Sequence, residues 1–169
     1  HNTPAETNVG IEMTGGAGGG AAVKDESGKD SGAVVVDRSG NTRMLYRGNY
    51  GCVPNTLHAD GEPTDVLVLC DCDLAPGVVI RCRPVGVLKM EDDGGMDDKL
   101  IAVPVEKVDP FQAHIQDLTD IPGKTRDRIK HFFEHYKGLE AGKWVKVIGW
   151  GDKAEAESIL LESLAAAQK

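Results

Sequence analysis

Short runs of β-branched and other apolar residues recur along the chain from residue 33 onward, and Gly, Pro, Asn or Asp bounds each run. Runs of this kind predict β-strands, here over residues 33–36, 43–46, 65–70, 78–90 and 99–103. Five strands that follow one another so closely predict a small β-barrel. Pro84 lies in the middle of the fourth run, and because proline has no N–H to donate to a sheet, it predicts a bulge or an edge there.

The pattern changes to helical spacing after residue 120. Apolar residues at positions i, i+3, i+4 and i+7 predict a helix of about four turns, namely Ile129, Phe132, Phe133 and Tyr136. A last strand is predicted at residues 144–150, followed by the capping-box pattern of Asp152 and Glu155. The stripe of a C-terminal helix follows, formed by Ala156, Ile159, Leu160 and Leu164. The predicted fold class is therefore α+β, mainly β, with a five-stranded barrel and two flanking helices.

The length and net charge of the chain limit the classes of function that it can have. The chain has 169 residues, and residues 1–169 fit a single domain. There are 19 Lys and Arg against 27 Asp and Glu, a net charge of -8, which argues against nucleic acid as a partner because its phosphates are also negative. The longest apolar run, residues 66–70, is far shorter than the roughly 20 residues that cross a bilayer, so no membrane segment is predicted.

The cysteines indicate the cellular compartment of the protein, and a glycine-rich segment indicates a loop. Four cysteines are too few for a disulfide-rich scaffold, and they lie in or beside apolar segments, which favours free thiols and a cytoplasmic protein. The first residues contain no basic head followed by an apolar run, so no secretory signal is predicted. Residues 15–20, Gly-Gly-Ala-Gly-Gly-Gly, predict a loop because glycine loses the most entropy on ordering.

Acidic residues carry the candidate chemistry. Asp60, Glu62 and Asp65 lie in a turn-forming segment directly before a predicted strand, and residues 91–98 form a second acidic segment between two predicted strands. A hairpin-like connection brings both segments to one end of the barrel. Several carboxylates together suit hard cations such as Mg²⁺ and a phosphate-bearing substrate. The alternative interpretation is a merely solvated acidic loop, which is the usual meaning of such a segment taken alone.

Basic and tyrosine residues accompany the acids: Lys24, Arg38, Lys99, Lys137, Tyr46, Tyr50 and Tyr136. With them, the order of motifs along nearly the whole chain resembles the soluble (family I) inorganic pyrophosphatases of the prokaryotic type. The motifs are Asp37-Arg38, Asn49-Tyr50-Gly51, Asp60-Gly61-x-Pro63-x-Asp65-Val66-Leu67-Val68, Pro76-Gly77-x-x-Ile80-x-x-Arg83-Pro84-Val85-Gly86 and His131-Phe132-Phe133-Glu134-His135-Tyr136-Lys137.

The resemblance implies an OB-like barrel that hydrolyses pyrophosphate to two phosphates with several Mg²⁺ ions, for which Mn²⁺ or Zn²⁺ substitute. By position it implies four metal ligands, Asp60, Asp65, Asp92 and Asp97. It implies phosphate binding by Lys24, Arg38, Tyr50, Lys99, Tyr136 and Lys137, and catalytic roles for Glu62, Asp65 and Tyr50. Three further positions, Glu12, Glu26 and Tyr46, match residues that support the site through water or a neighbouring side chain.

The chain departs from the family pattern inside this motif. The third position is usually Asp and is the expected general base, whereas this chain has Glu62. Glutamate has a similar intrinsic pKa but one more methylene, and a displacement of about 1 Å can lower a rate on the order of 10²-fold. We therefore expect an active but slower enzyme. Thr64 stands where the family usually has an aliphatic residue, and Cys52 where it usually has an aromatic one.

Two other functions remain open. One is a homologue that binds metal and phosphate without efficient turnover, which Glu62 makes conceivable. The other is an oligomeric interaction barrel whose rim acids are dispensable. His131 and His135 are four residues apart on the predicted helix and could be interpreted as a metal pair, but the local sequence offers no third ligand. The resemblance instead places that helix at the subunit contacts of a homohexamer.

Overall fold

The computed structural model describes residues 1–14, 23–27, 34–39, 48–71, 73–138 and 140–169, with side chains described for all of these except residues 13–14, 23–27 and 34–39. The strands of the described chain are β1 Thr7–Thr14, β2 Val23–Ser27, β3 Val34–Ser39, β4 Asn49–Cys52, β5 Asp65–Val68, β6 Val79–Asp92, β7 Gly95–Met96, β8 Lys99–Pro104 and β9 Val145–Gly151. The α-helices of the described chain are α1 Gly123–His135 and α2 Lys153–Ala166, and short 3-10 turns at Pro110–Gln112 and Leu118–Asp120 precede them.

Five of the strands close into a ring. β1 pairs antiparallel with β4 and β6, β4 pairs antiparallel with β5, and β8 pairs antiparallel with β6, while β5 and β8 run parallel. The order is therefore β1-β4-β5-β8-β6 and back to β1. β7 and β9 extend the sheet from β6. The prediction of a mainly β, OB-like fold with two helices is confirmed.

The ring contains different strands from the N-terminal part of the chain than those predicted. The pattern of apolar runs does not predict β1 or β4, because these strands carry few consecutive apolar residues. The predicted strand at 33–36 overlaps β3, which pairs with β2 in a separate two-stranded sheet rather than in the ring. The predicted strand at 43–46 and the predicted loop at 15–20 lie outside the described residues.

Gly51 allows β4 to pack closely against β1. A Cβ atom on Gly51 would lie 2.0 Å from the carbonyl oxygen of Gly10 on β1, a separation that no side chain permits. On the other side of the ring, Pro84 pairs with Ala102 and Gly86 pairs with Ile101, so Val85 is an extra residue on β6. The bulge predicted at Pro84 is therefore present, as expected where proline breaks the hydrogen-bond ladder.

Two apolar cores lie on the two faces of the ring strands. In β5, Val66 and Val68 belong to one core and Leu67 to the other, because successive side chains of a strand point to opposite faces. Helix α2 contributes Leu160 to the first core, and helix α1 contributes Phe133 to the second. Both predicted helices are thus present, and each covers one face.

The start of α2 follows the predicted cap only in part. The Asp152 side chain accepts a hydrogen bond from the Glu155 N–H at 3.0 Å. The Glu155 carboxylate pairs with Lys89 of β6 at 2.9 Å, so it ties the helix to the sheet. In the described part of the chain, neither helix has both the length and the apolar character needed to span a membrane.

Candidate active site

The candidate site forms where two parallel strands begin side by side. Asp65 is the first residue of β5 and lies in register with Lys99, the first residue of β8. On the other edge of β5, Cys52 of β4 lies in register with Asp65, and Tyr50 lies two residues before it. Since parallel strands start at the same edge of a sheet, this pairing brings together the two acidic segments that precede β5 and β8.

Lys99 is the centre of the site. Its side chain is 2% exposed, and its Nζ donates to Asp65 Oδ2 at 2.5 Å and to Asp97 Oδ1 at 2.6 Å. The rings of Tyr50 and Phe133 lie 5.7 and 5.9 Å from the same nitrogen. The two acidic segments therefore meet at one buried ammonium group, as their expected convergence requires.

The electrostatics show an excess of negative charge. Burial, together with the charges of Asp65 and Asp92, raises the pKa of Asp97 to about 6 despite the adjacent Lys99. Burial acts to lower the pKa of Lys99, but Tyr50 and the carboxylates outweigh it and hold that pKa well above its ordinary value. Burial and the Asp65 carboxylate, which accepts a hydrogen bond from the Tyr50 hydroxyl, raise the pKa of Tyr50. Lys99 is thus charged and Tyr50 is a neutral donor at neutral pH.

A second lysine–carboxylate pair lies beside the first. Lys137, just after α1, donates to Asp92 at the end of β6, and Asp92 also accepts from the Gly94 N–H at 2.8 Å. Burial acts to raise the pKa of Asp92, but these hydrogen bonds outweigh it and lower the pKa. Tyr136 is half-buried, and burial raises the pKa of its hydroxyl although Lys99 and Lys137 oppose the shift. The end of α1 therefore supplies a phenol and an ammonium group to the acidic pocket.

The remaining acids lie on an exposed turn. Gly61 has a positive φ of 86°, which glycine adopts without strain. Asp60 Oδ1 accepts a hydrogen bond from the Glu62 N–H at 3.0 Å. The Glu62 carbonyl accepts from the His58 N–H at 2.8 Å. The backbone of the turn is thus held in place, while the Glu62 side chain is exposed to solvent.

A histidine–carboxylate pair that the sequence analysis missed joins this turn to the Asp97 segment. His58 Nε2 lies 3.3 Å from Asp98 Oδ2, and both side chains are nearly buried. The Asp98 Oδ1 atom accepts from the Met90 N–H at 3.2 Å. The hydrogen bond to Asp98 raises the pKa of His58, burial opposes it, and the charges of Asp60 and Asp97 add to the rise. His58 and Asp98 are 40 residues apart, so no local sequence signal could have paired them.

The donor set fits a hard divalent cation by its chemistry. All four predicted metal ligands are aspartates, whose oxygens are the atoms that Mg²⁺ prefers, and the raised pKa of Asp97 indicates that the pocket favours added positive charge. Among the described residues, no three of these four carboxylates have oxygen atoms that all lie within 4.8 Å of one another. Lysine ammonium groups stand between them instead, at Lys99 and Lys137.

The side chains of four predicted site residues, Lys24, Glu26, Arg38 and Tyr46, lie outside the described part of the structure. Lys24 and Arg38 are register partners across β2 and β3, and Glu26 pairs with Val35, but their side chains are not described. Tyr46 lies outside the described residues altogether. Their predicted roles remain predictions.

Besides Glu62, the two other departures from the family pattern, Cys52 and Thr64, have identifiable surroundings in the structure. The Cys52 thiol donates to Glu12 Oε1 at 3.2 Å, so Glu12 reaches the edge of the site through the residue that replaces an aromatic. Thr64 is fully buried, and its hydroxyl has no hydrogen-bond partner among the described residues.

Fold and site together define a class of protein: a small OB-like β protein whose acidic pocket is lined by buried or half-buried lysines and tyrosines, an arrangement suited to enzymes that act on phosphate compounds. Comparison with known proteins narrows this class. The family profile described as inorganic pyrophosphatase matches residues 11–168.

Individual relatives agree with the profile. The chain is 53% identical over 163 residues to an inorganic pyrophosphatase of Xanthomonas campestris pv. campestris, covering 96% of this chain and 90% of the relative. The structure matches that of the Helicobacter pylori inorganic pyrophosphatase with a TM-score of 0.93 and 44% identity, covering 100% of this chain and 97% of that one. It matches the Thermus thermophilus inorganic pyrophosphatase with a TM-score of 0.90 and 42% identity, covering 100% and 95%.

This chain belongs to the inorganic pyrophosphatase family. Both the resemblance seen in the motifs and the expectation of an enzyme are thereby confirmed.

Proposed function

We propose that this protein hydrolyses inorganic pyrophosphate to two orthophosphates in a reaction that depends on Mg²⁺. Family membership supports the substrate. The observation that carries the proposal is Lys99, whose buried ammonium group holds Asp65 and Asp97 together beside the Lys137–Asp92 pair. A pocket with alternating carboxylates and lysines can bind a divalent cation and a polyanion at the same time.

The carboxylates are the groups that would hold the metal. Asp60 and Asp65 offer oxygen ligands from the turn before β5 and from its first residue, and Asp92 and Asp97 offer them from the end of β6 and the segment that follows it. Bound Mg²⁺ would neutralise charge on the substrate and lower the pKa of the attacking water. Mn²⁺ or Zn²⁺ would serve as substitutes.

The basic and phenolic side chains bind the phosphates. Lys99 and Lys137 supply charge-assisted hydrogen bonds, which are stronger than neutral ones. Tyr50 and Tyr136 keep their protons because burial raises the pKa of each hydroxyl. Tyr136 can therefore donate to a phosphoryl oxygen, and Tyr50, whose hydroxyl donates to Asp65 in this structure, would do so once Asp65 holds the metal ion. Lys24 and Arg38, in register on β2 and β3, complete the predicted set. Fixed donors of this kind stabilise charge that develops in the transition state.

Glu62 takes the proton of the attacking water. The water oxygen forms a bond to one phosphorus atom, the bond from that phosphorus to the bridging oxygen breaks, and the second orthophosphate leaves. The Glu62 side chain is exposed on its turn, so it can pass the proton to solvent. Its backbone is held by His58 and Asp60, whereas Asp65 accepts hydrogen bonds from the Tyr50 hydroxyl and the buried Lys99 ammonium group.

We further propose a homohexamer with subunit contacts near His131 and His135, and a cytoplasmic location. The resemblance to the family supports the first. Cys52, Cys70 and Cys82 are present as thiols, which is consistent with a reducing compartment.

The test is phosphate release from pyrophosphate by the purified protein, with Mg²⁺ and with a chelator, in wild type, Asp65→Asn and Asp73→Asn. We expect Mg²⁺-dependent release in wild type. Asp65→Asn should lower kcat/KM by at least about 10²-fold, because it removes a proposed ligand of the Mg²⁺ that would stabilise charge on the transferring phosphoryl group. Asp73 is an exposed aspartate on another loop, so Asp73→Asn should retain wild-type activity.

Two outcomes separate the alternatives. Absence of phosphate release from folded wild type, with pyrophosphate and Mg²⁺ still bound in calorimetry, would favour the homologue that binds without efficient turnover. Equal activity of Asp65→Asn and wild type would contradict the proposed role of the buried acids.

A further inference from the structure

A second group of possible metal ligands lies on the opposite side of α1 from the apolar core. Ile129 and Phe133 are buried and face that core. His131, Glu134 and His135 are exposed. Residues three and four apart lie on one face of a helix, so the spacing places the three polar side chains together. Glu134, which lies between the two histidines in the sequence, is therefore a third candidate ligand, and the interpretation that the local sequence offers none was wrong.

The three side chains are close enough to share an ion. One ligand atom from each of His131, Glu134 and His135 lies within 4.8 Å of the other two. Metal–nitrogen and metal–oxygen bonds to Zn²⁺ are about 2.0 to 2.2 Å long, so small side-chain rotations would bring all three atoms onto one ion. The imidazole rings are already adjacent, with centroids 4.3 Å apart.

The hydrogen bonding of His135 favours ligation by its outer nitrogen. His135 Nδ1 lies 2.8 Å from the carbonyl oxygen of His131, to which it donates as Nδ1–H. This leaves the lone pair on Nε2, which faces away from the helix backbone. Histidines that bind metals usually donate their other ring N–H to a carboxylate or backbone carbonyl, because that bond fixes the ring and its tautomer.

We propose that His131, Glu134 and His135 form a site for a divalent transition metal ion such as Zn²⁺, Co²⁺ or Ni²⁺. Imidazole suits these ions, whereas Mg²⁺ prefers oxygen ligands. This cluster is therefore chemically distinct from the all-carboxylate set of Asp60, Asp65, Asp92 and Asp97. Water completes the coordination sphere, since the three side chains provide one face of it.

The position of the cluster gives the ion a structural consequence. His135 is the last residue of α1, and Tyr136 and Lys137 follow it directly. An ion held by residues i, i+3 and i+4 bridges one helical turn and stabilises it by mass action. It would thus hold the turn from which the pocket receives Tyr136 and Lys137.

The test is titration of the metal-free protein with Co²⁺ in excess Mg²⁺, which occupies the active-site acids. Binding is followed by calorimetry and by the visible absorption of Co²⁺. The variants are His131→Gln, Glu134→Gln and His135→Gln, with His114→Gln as the matched control, because His114 is an exposed histidine outside the helix. Thermal unfolding without metal verifies that each variant is folded.

We expect wild type and His114→Gln to bind Co²⁺ with equal affinity. Loss of a partner that only orients a ligand weakens metal binding by about 10- to 100-fold, so loss of either imidazole should weaken it by at least about tenfold. Glu134→Gln should have a smaller effect in the same direction. A stoichiometry of one ion per chain, or of one per two chains if copies meet at this face, supports the site when the variants lose it. Unchanged affinity in both imidazole variants, an absorption band typical of a Co²⁺–thiolate bond, or no binding by wild type would overturn the proposal.

Discussion

The buried centre around Lys99 and the exposed turn around Glu62 belong to the same candidate site but are held in different ways. At the centre, Asp65 and Asp97 are side-chain partners of a lysine that is 2% exposed. On the turn, backbone hydrogen bonds fix Asp60 and Glu62, and the Glu62 carboxylate is in solvent. The centre depends on charge compensation, and the turn depends on backbone geometry.

Because of this difference, we expect changes in the two regions to affect stability and turnover differently. A buried charge that loses its partner is strongly destabilising, so changes at the centre should affect folding as well as activity. An exposed side chain contributes little to folding, so changes on the turn should affect activity alone. Three variants test this division, in order of expected effect.

Lys99→Met should have the largest effect on stability. It leaves the buried Asp97 and the partly buried Asp65 without their shared ammonium partner, and breaking a buried ion pair costs about 3–5 kcal/mol. Urea unfolding in a chelator measures the loss, because metal ions then cannot replace the ammonium charge. Lys143→Met is the matched control: Lys143 pairs with Asp93 at 3.1 Å on the surface, and exposed pairs contribute less than about 1 kcal/mol. Equal losses in the two variants would contradict the distinction between centre and surface.

Glu62→Asp should change turnover without changing stability. Shortening the side chain restores the residue usual in the family, and correcting a displacement of about 1 Å should raise kcat by up to about 10²-fold. The free energy of unfolding should stay within about 0.5 kcal/mol of wild type, as is usual for exposed positions. Steady-state kinetics at saturating Mg²⁺ measures the change, and Glu62→Gln, which lacks a carboxylate, should be slower than both. A lower kcat for Glu62→Asp would show that the turn has adapted to glutamate.

Thr64→Val should give the smallest effect, and it should be stabilising. Thr64 lies between the turn and the centre, fully buried, and its hydroxyl has no partner among the described residues. A buried polar group without a hydrogen bond costs about 1–3 kcal/mol, so a nearly isosteric apolar replacement should raise the free energy of unfolding by about 1 kcal/mol.

Thr56→Val is the matched control for that variant. The Thr56 hydroxyl donates to the Val53 carbonyl at 2.6 Å and accepts from the Thr64 N–H at 3.0 Å, so its removal leaves buried backbone groups unpaired and should destabilise. If denaturant unfolding showed both variants to be destabilised alike, the Thr64 hydroxyl would have to make a stabilising hydrogen bond, and the prediction would be wrong.

The sequence predicted those features that depend on local pattern. The helix of Ile129 and Phe133, the bulge at Pro84 and the convergence of two acidic segments follow from spacing, proline chemistry and the meeting of strand ends. The strand Asn49–Cys52 is too short to give a periodic signal, and its place in the ring depends on the contact between Gly51 and Gly10.

The details of the site that the sequence did not predict are long-range. Pairing of His58 with Asp98 spans 40 residues, and neither residue carries a pattern that identifies the other. Phe133 was predicted only as a core residue, yet its ring also lies beside Lys99. Such contacts depend on how β5, β8 and α1 are arranged in space, which spacing along the chain does not specify.

The parallel pairing of β5 with β8 also has a consequence for how the chain acquires its activity. Parallel neighbours cannot be joined by a tight turn, and 34 residues separate Asp65 from Lys99. Contacts so distant in sequence form late, after the entropy of closing the intervening loop has been lost. A growing polypeptide that has left the ribosome only as far as β5 therefore carries Asp60, Glu62 and Asp65 but not Lys99, and the pocket is complete only after β8 has docked and α1 has added Tyr136 and Lys137.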